Sequence, residues 1–232
     1  MMLQLARQDI VANNIANSNT HSFKRQLAIS CSYPVMEITR LEGINSASMP
    51  QHLGKLGSGA MISEVCTDFS PGAMQQTGNP SDLALGSEAY FVVETPRGER
   101  YTRDGSFKVN FDGLLSTSQG YPVLDQYGDY VYVEPGFVVD SQGNLSVDGT
   151  TLHTLQLVVF DDPASLVKDG ENLYAAEAAY QLAEDPQLMQ GYLEESNVNA
   201  VQEMVTLLEA VRCYEMLQKV VQAEDELNQT AI

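Results

Sequence analysis

A chain of 232 residues with 44% hydrophobic content is long enough to bury the core of one or two domains. Its formal net charge of −19 sits mostly in the middle: residues 31–198 carry seven basic side chains against twenty-four acids, residues 1–30 three against one, and residues 199–232 two against six. So acidic a surface repels phosphate backbones, which argues against nucleic acid as a partner, and no apolar run approaches the ~18–20 residues a transmembrane segment requires.

From Met2 to about Asn17, the apolar residues Leu3, Ala6 and Ile10, flanked by Val11 and Ile15, follow helical spacing. They predict an amphipathic helix that ends in Asn17-Ser18-Asn19-Thr20, whose short polar side chains favour turns. Residues 1–26 are therefore read as a helix with its exit turn. The segment begins without the basic leader, apolar stretch and small-residue cleavage site of a secretory signal, so export, where it occurs, is expected to need no cleavable signal peptide.

Residues 27–82 are punctuated by Gly54, Gly57, Gly59, Ser70-Pro71-Gly72 and Gly78-Asn79-Pro80, and read as extended linker with short strands. Residues 83–194 change character. Runs such as Ala89 to Glu94, Arg100 to Arg103, Tyr130 to Val133 and Leu152 to Phe160 are rich in aromatic and β-branched residues. Between them recur Asp104-Gly105, Asp112-Gly113, Gln119-Gly120, Gly128-Asp129, Gly143-Asn144 and Asp148-Gly149, at hairpin intervals. This is the pattern of a mostly antiparallel β domain.

Residues 195–232 hold one long helix, with Asn199 as its N-cap and Gln202 at the third helical position. Its apolar line runs Val201, Met204, Leu208, Val211, Tyr214, Leu217 and Val221, broadened by Val205, Leu207, Val220 and Leu227. At ~1.5 Å per residue it extends roughly 45 Å, about twice the N-terminal helix. Isolated helices are marginal, so the stripe needs a partner, and the shorter helix leaves part of it over. The fold class is thus α+β: helices at both ends forming a coiled coil, with a central antiparallel β domain.

Chemistry-bearing constellations are lacking. His21, His52 and His153 fall in no HExxH, HxH or GxSxG context, and the glycines at 54–59 lack the GK[ST] ending of a phosphate loop. Asp140, Asn144 and Asp148 miss the calcium-loop spacing and read as turn residues. Cys31, Cys66 and Cys213 are odd in number without a CxxC pair and read as small apolar residues. Paired acids such as Asp161-Asp162 and Glu194-Glu195 leave open a carbohydrate-active β-domain enzyme as an alternative. The expectation is no catalytic residue, no cofactor and no metal.

Two motifs at opposite ends carry a resemblance. DIVANNIANSNTHSFKR at 9–25 resembles the N-terminal signature ANNxANxxTxGFK of flagellar rod, hook and hook-associated proteins, and EESNVNAVQEMV at 194–205 with RCYE at 212–215 resembles their C-terminal signature. The segments QQTGNPSDLAL (75–85), YFVV (90–93), YTRDGSF (101–107) and QGYPVL (119–124) resemble those of the rod proteins of this family, with the proximal-rod type favoured over the distal. The resemblance implies a structural subunit of the bacterial flagellar basal-body rod, crossing the periplasm and delivered by the flagellar export apparatus. It also implies that the terminal helices line a tube with the β domain outside. Other rod proteins, copies of itself, and hook and ring proteins are the implied partners; a hook or hook-associated protein of the same family is the alternative.

The interface expected from the stripes and the two motifs comprises Ile10, Asn13, Asn14, Ile15, Asn17 and Phe23 at one end, and Asn197, Val198, Asn199, Val201, Met204, Leu208, Val211, Tyr214, Leu217 and Val221 at the other. The asparagines would satisfy amides across the junction and set its register. Two departures stand out. Family members generally carry about another half-helix ahead of the position matching Met2, and Ser22 stands where the family usually has glycine, so the exit turn is expected to persist with altered angles.

Overall fold

The computed structural model describes residues 2–40, 51–57, 59–176 and 178–230. Expectations for Met1, for linker residues 41–50 and 58, for position 177 of the β region and for helix residues 231–232 lie outside the described residues. The chain divides into two compact units, one built from Met1–Ile15, Gln26–Cys66 and Ala200–Ile232, the other from Ala16–Arg25 and Thr67–Asn199.

The first unit holds helices α1 (Met2–Ala16) and α2 (Ala200–Thr230) and strands β1 (Gln26–Ser32), β2 (Met36–Arg40), β3 (Gln51–Leu56) and β4 (Ala60–Thr67). Free of Gly and Pro and rich in Ala, Leu, Glu, Gln and Met, α2 can run unbroken for 31 residues. Side-chain contacts join the two helices. The Gln4 amide reaches Cys213 Sγ at 3.4 Å, and the Asn14 amide reaches Glu203 Oε2 at 3.4 Å. Equal steps along both helices in opposite senses mean that they run antiparallel.

On the side of α2 that bears these contacts, Glu203 and Ala210 are buried and Leu207, Cys213 and Tyr214 half-buried. In α1, Val11 and Asn14 are buried. Beyond Tyr214 the cover ends: every residue from Glu215 to Gln229 is exposed.

Strand β1 pairs with β4, and β2 with β3 in the register Met36↔Leu56 to Arg40↔Gln51, so much of the expected linker is a two-stranded ribbon. Its apolar side chains Leu27, Ile29, Tyr33, Val35, Met36, Ile38, Leu56, Met61 and Val65 are all exposed. A sheet with both faces solvated needs no inside–outside alternation, which is why periodicity did not mark these strands.

The second unit is antiparallel β throughout its named pairs. It opens with β5 (Met74–Gln76), β6 (Leu83–Leu85), β7 (Tyr90–Thr95), β8 (Gly98–Thr102), β9 (Lys108–Val109) and β10 (Leu115–Ser116). It continues with β11 (Val138–Val139), β12 (Asn144–Val147), β13 (Thr150–Thr154), β14 (Leu157–Val159), β15 (Val167–Lys168), β16 (Leu173–Ala175) and β17 (Gln181–Leu182), and closes with β18 (Leu188–Gln190) and β19 (Tyr192–Glu194). The main sheet has the order β15-β16-β8-β7-β14-β17.

Both faces of its centre are covered. Phe91 and Val93 of β7 join Phe107, Leu115, Val123 and Val131 in one cluster, while Tyr90 and Val92 pack with Tyr101, Phe160 and Tyr174 in another. Double-sided burial explains the uninterrupted run Tyr-Phe-Val-Val where a half-solvated strand would alternate. Of the expected turns, Asp148-Gly149 takes positive φ at both residues, 50° and 81°, the conformation a two-residue hairpin favours. Gly105 has a different reason: a Cβ there would lie 1.6 Å from the Leu83 carbonyl oxygen.

Candidate assembly interface

The segments bearing the two terminal motifs meet in the second unit around one buried carboxylate. Glu194 Oε1 accepts from Lys24 Nζ at 2.7 Å and from the Gly72 N–H at 2.8 Å, while Oε2 accepts from Arg103 Nε at 3.0 Å. All three charged side chains are almost fully buried. Lys24 also donates to Ser70 O at 2.8 Å, and Arg103 lies over the Tyr90 ring, 5.7 Å from its centroid. Two cations share one anion, so the node carries an excess positive charge.

Burial acts to raise the Glu194 carboxyl, yet the charges of Arg103 and Lys24 and the bonds from Lys24 and Gly72 outweigh it and hold the group below its usual range. Lys24 shows the other side of the same excess. Burial draws its amine below the ordinary lysine value despite the Glu194 contact, because Arg103 competes for that carboxylate and cannot give up its own proton.

Ser22 joins this arrangement. Its N–H donates to Glu194 O at 2.8 Å and its Oγ to Arg103 O at 2.8 Å. Its φ is +54°, inside the left-handed region where glycine is at ease, so serine makes the turn with positive φ and anchors it by a side-chain bond that glycine lacks. Next to it Phe23 is buried beneath the Lys168 ammonium, 3.8 Å from its ring centroid. Burial pushes Lys168 down to about 8.

Asn197 is the second tie. Its Oδ1 accepts from the Arg25 N–H at 2.7 Å, its Nδ2 donates to Asp68 O at 2.8 Å and Ser70 O at 3.2 Å, and its N–H reaches Phe23 O at 3.3 Å. In the first unit Asn14 closes a reciprocal pair with the Gln26 backbone at 2.9 and 3.0 Å. Asn14, Phe23 and Asn197, expected at a junction between subunits, therefore engage their side chains within their own chain. Ile10, Ile15, Asn17, Val198, Val211 and Tyr214 are half-buried. Asn13 and Asn199 are exposed, as are Val201, Met204, Leu208, Leu217 and Val221.

On α2, then, two apolar faces separate. The face toward α1 follows Glu203, Leu207, Ala210 and Tyr214, in steps of four, three and four. The expected line through Val201, Met204 and Leu208 lies outward, with Val201 72% and Leu208 58% exposed. Sequence reasoning missed Glu203 as a covered position because a carboxylate interrupts that face. It missed Lys24, Arg103 and Glu194 as well: each stands inside a quoted motif, but no spacing marks three charges far apart in the chain as one cluster.

Among the described residues no group of three His, Cys, Asp or Glu side chains could hold a metal ion, and no helix is long and apolar enough to cross a membrane. The Asp140 carboxylate accepts from the Gln142 and Asn144 N–H groups and from the Asn144 amide, which accounts for it as a turn residue.

Three family models match: "Flagella basal body rod protein" over residues 1–24, "Flagellar hook protein FlgE/F/G D1 domain" over residues 84–153, and "Flagellar basal body rod FlgEFG protein C-terminal" over residues 189–232. Similar proteins include flagellar basal-body rod protein FlgF of Caulobacter vibrioides, 36% identical over 229 residues that span 97% of this chain and 89% of the relative. Flagellar basal-body rod protein FlgG of Agrobacterium fabrum is 33% identical, covering 98% and 93%. The protein of the same name from Borreliella burgdorferi is 32% identical, covering 98% and 92%.

Proposed function

Because the chain belongs to the flagellar basal-body rod protein family, we propose that it acts as a structural subunit of that rod, joining it through the outward face of its terminal helices. The observation that carries this reading is the division of α2. One face is buried at Glu203 and Ala210, on the side where Asn14 of α1 reaches Glu203, and a second, through Met204, Val205 and Leu208, is exposed. Fully burying a leucine or methionine stabilises by about 1.5–3 kcal/mol, so several such residues entering a contact at once supply an association drive.

α1 and α2 form the antiparallel coiled pair, whose remaining apolar surface contacts neighbouring copies or related rod proteins. A contact between unlike patches that does not close on itself propagates as a helical tube. Exposed apolar residues on the β1–β4 ribbon add a further surface, since an isolated two-stranded ribbon is marginal in water. The role is structural rather than catalytic, the place of action is the basal body, and delivery is by the flagellar export apparatus. Within the family, the proximal-rod type fits the Asp82-to-Leu85 run and the Pro122-to-Leu124 ending.

A Leu208→Asp variant tests this. It removes about 2 kcal/mol of burial at the contact and places a carboxylate where desolvation is costly, while leaving a residue that is exposed in the single chain. The expected result is unchanged circular dichroism with loss of the protein from purified basal bodies. Incorporation at the wild-type level would overturn the reading.

A further inference from the structure

Between Val109 and Val167 the chain has eight Asp and Glu residues and no Lys or Arg. The only basic-type side chain in that stretch, His153, is engaged by Asp125 at 3.1 Å. Most cations of the second unit are also occupied: Lys24 and Arg103 in the buried node, Arg97 and Arg100 on Asp169 at 2.6 and 2.8 Å, and Lys168 over Phe23. This stretch nevertheless exposes large aromatic rings, with Tyr127, Tyr130, Tyr132 and Phe111 all open to solvent.

The rings Tyr130 and Tyr132 share an outer face. Val131 and Val133 alternate with them and are buried, so both tyrosines must point away from the core. Bridges Leu124↔Tyr130 and Leu114↔Tyr132 fix this short extended segment to its neighbours. Glu94 is exposed on β7, which the segment 122–124 joins to Tyr130 (the Glu94 N–H donates to Pro122 O at 3.0 Å, and Leu124 bridges Tyr130), and Glu134 follows Tyr132 in the same outward alternation. The face is thus aromatic and anionic.

We propose that the outer face carrying Tyr130, Tyr132, Glu94 and Glu134 docks a protein partner through arginine side chains on a basic surface. Charge complementarity commits the occupant. A guanidinium stacks on a tyrosine face while its N–H groups reach the flanking carboxylates, a combination that an ammonium serves less well and that an anionic or purely apolar partner cannot use. Tyrosine opposite arginine is also the pairing enriched at the centres of interfaces, where like-charged partners are turned away. This surface lies on the β domain and is independent of the helical contact proposed above.

The test uses the full-length chain and a dye-labelled peptide of alternating glycine and arginine, with its lysine counterpart, followed by fluorescence anisotropy at low and at physiological ionic strength. Arginine peptide should bind more tightly than lysine peptide. Tyr132→Ala and Glu134→Gln should each weaken it by about fivefold, in line with an exposed cation–π contact or ion pair. Tyr130→Phe, which keeps the ring, should retain more affinity than Tyr130→Ala, while Glu209→Gln on α2, an equal change in net charge, should leave binding unaltered. Equal binding of the two peptides, or losses that follow net charge wherever it is removed, would overturn the proposal. Circular dichroism of each variant separates a lost contact from a lost fold.

Discussion

Replacing Glu194 by glutamine should damage the protein far more than replacing Lys24 by methionine, although the two side chains are partners 2.7 Å apart. The reason is the node's charge count. Glu194→Gln leaves Lys24 and Arg103 facing each other, both buried, and turns an amide N–H₂ toward at least one of them. Breaking a buried pair by removing one partner costs about 3–5 kcal/mol, and here one substitution breaks two, so the loss should reach about 5 kcal/mol. That is a large part of an ordinary domain's stability of about 5–15 kcal/mol. Lys24→Met removes the surplus cation together with its desolvation cost. Glu194 keeps Arg103 and the Gly72 N–H, and Ser70 O keeps the Asn197 amide. About 1–2 kcal/mol for the lost bonds is expected. Urea melts followed by far-ultraviolet circular dichroism give both values, and limited trypsin digestion at Arg25 reports whether residues 16–25 come loose. A Lys24→Met cost equal to or above that of Glu194→Gln would refute the reasoning. The double variant should cost less than the sum of the two, because neither loss is then suffered by the other residue.

Other consequences follow from single residues. Ser22→Gly should stay within about 1 kcal/mol of wild type, as relief of the left-handed backbone offsets the lost Oγ bond, whereas Ser22→Ala keeps the strain, loses the bond and should cost about 1–3 kcal/mol; chemical melts that rank alanine above glycine would contradict the role given to the turn. Tyr174 is buried and its Oη has no hydrogen-bond partner among the described residues, so Tyr174→Phe should hold or raise the melting temperature, and a clear fall would show a partner at that hydroxyl. Lys168, with its amine lowered to about 8, binds fewer protons folded than unfolded between about pH 8 and 10, so its contribution to stability rises with pH across that window. Tyr90, pushed up to about 12 by burial, works in the opposite sense above pH 10. Melts of Lys168→Met should show a flatter profile from pH 8 to 10 than wild type, and an identical slope would place the shift elsewhere.

The parts that could be read in the chain were those whose physics is local. Absence of Gly and Pro after Asn199 marked α2, and the Asp148-Gly149 pair marked a hairpin, because each depends on backbone conformation within a few residues. Which face of α2 is covered was not legible. Val201, Met204 and Leu208 and the set Leu207, Ala210 and Tyr214 both have helical spacing, and Glu203 disguises the covered one. The ribbon escaped because strands solvated on both faces carry no alternation. The node escaped for another reason: Lys24, Arg103 and Glu194 are brought together by the closing of the second unit, a long-range event that no window of sequence contains. For the candidate interface, the motifs pointed to Asn14, Phe23 and Asn197, which engage their side chains inside the chain, as readily as to Val201, Met204 and Leu208, which stand exposed.

Whether the outward face of α2 meets another subunit can be measured directly by placing a photoreactive p-benzoylphenylalanine at Leu208 in the native cell, irradiating, and identifying what is joined to it in purified basal bodies. A position buried against a neighbour should yield a covalent product with a second copy or a related rod subunit, while the same probe at Ala210, on the face toward α1, should yield links within its own chain. Basal bodies that contain the Leu208 variant yet give only internal links there would contradict assembly through this helix.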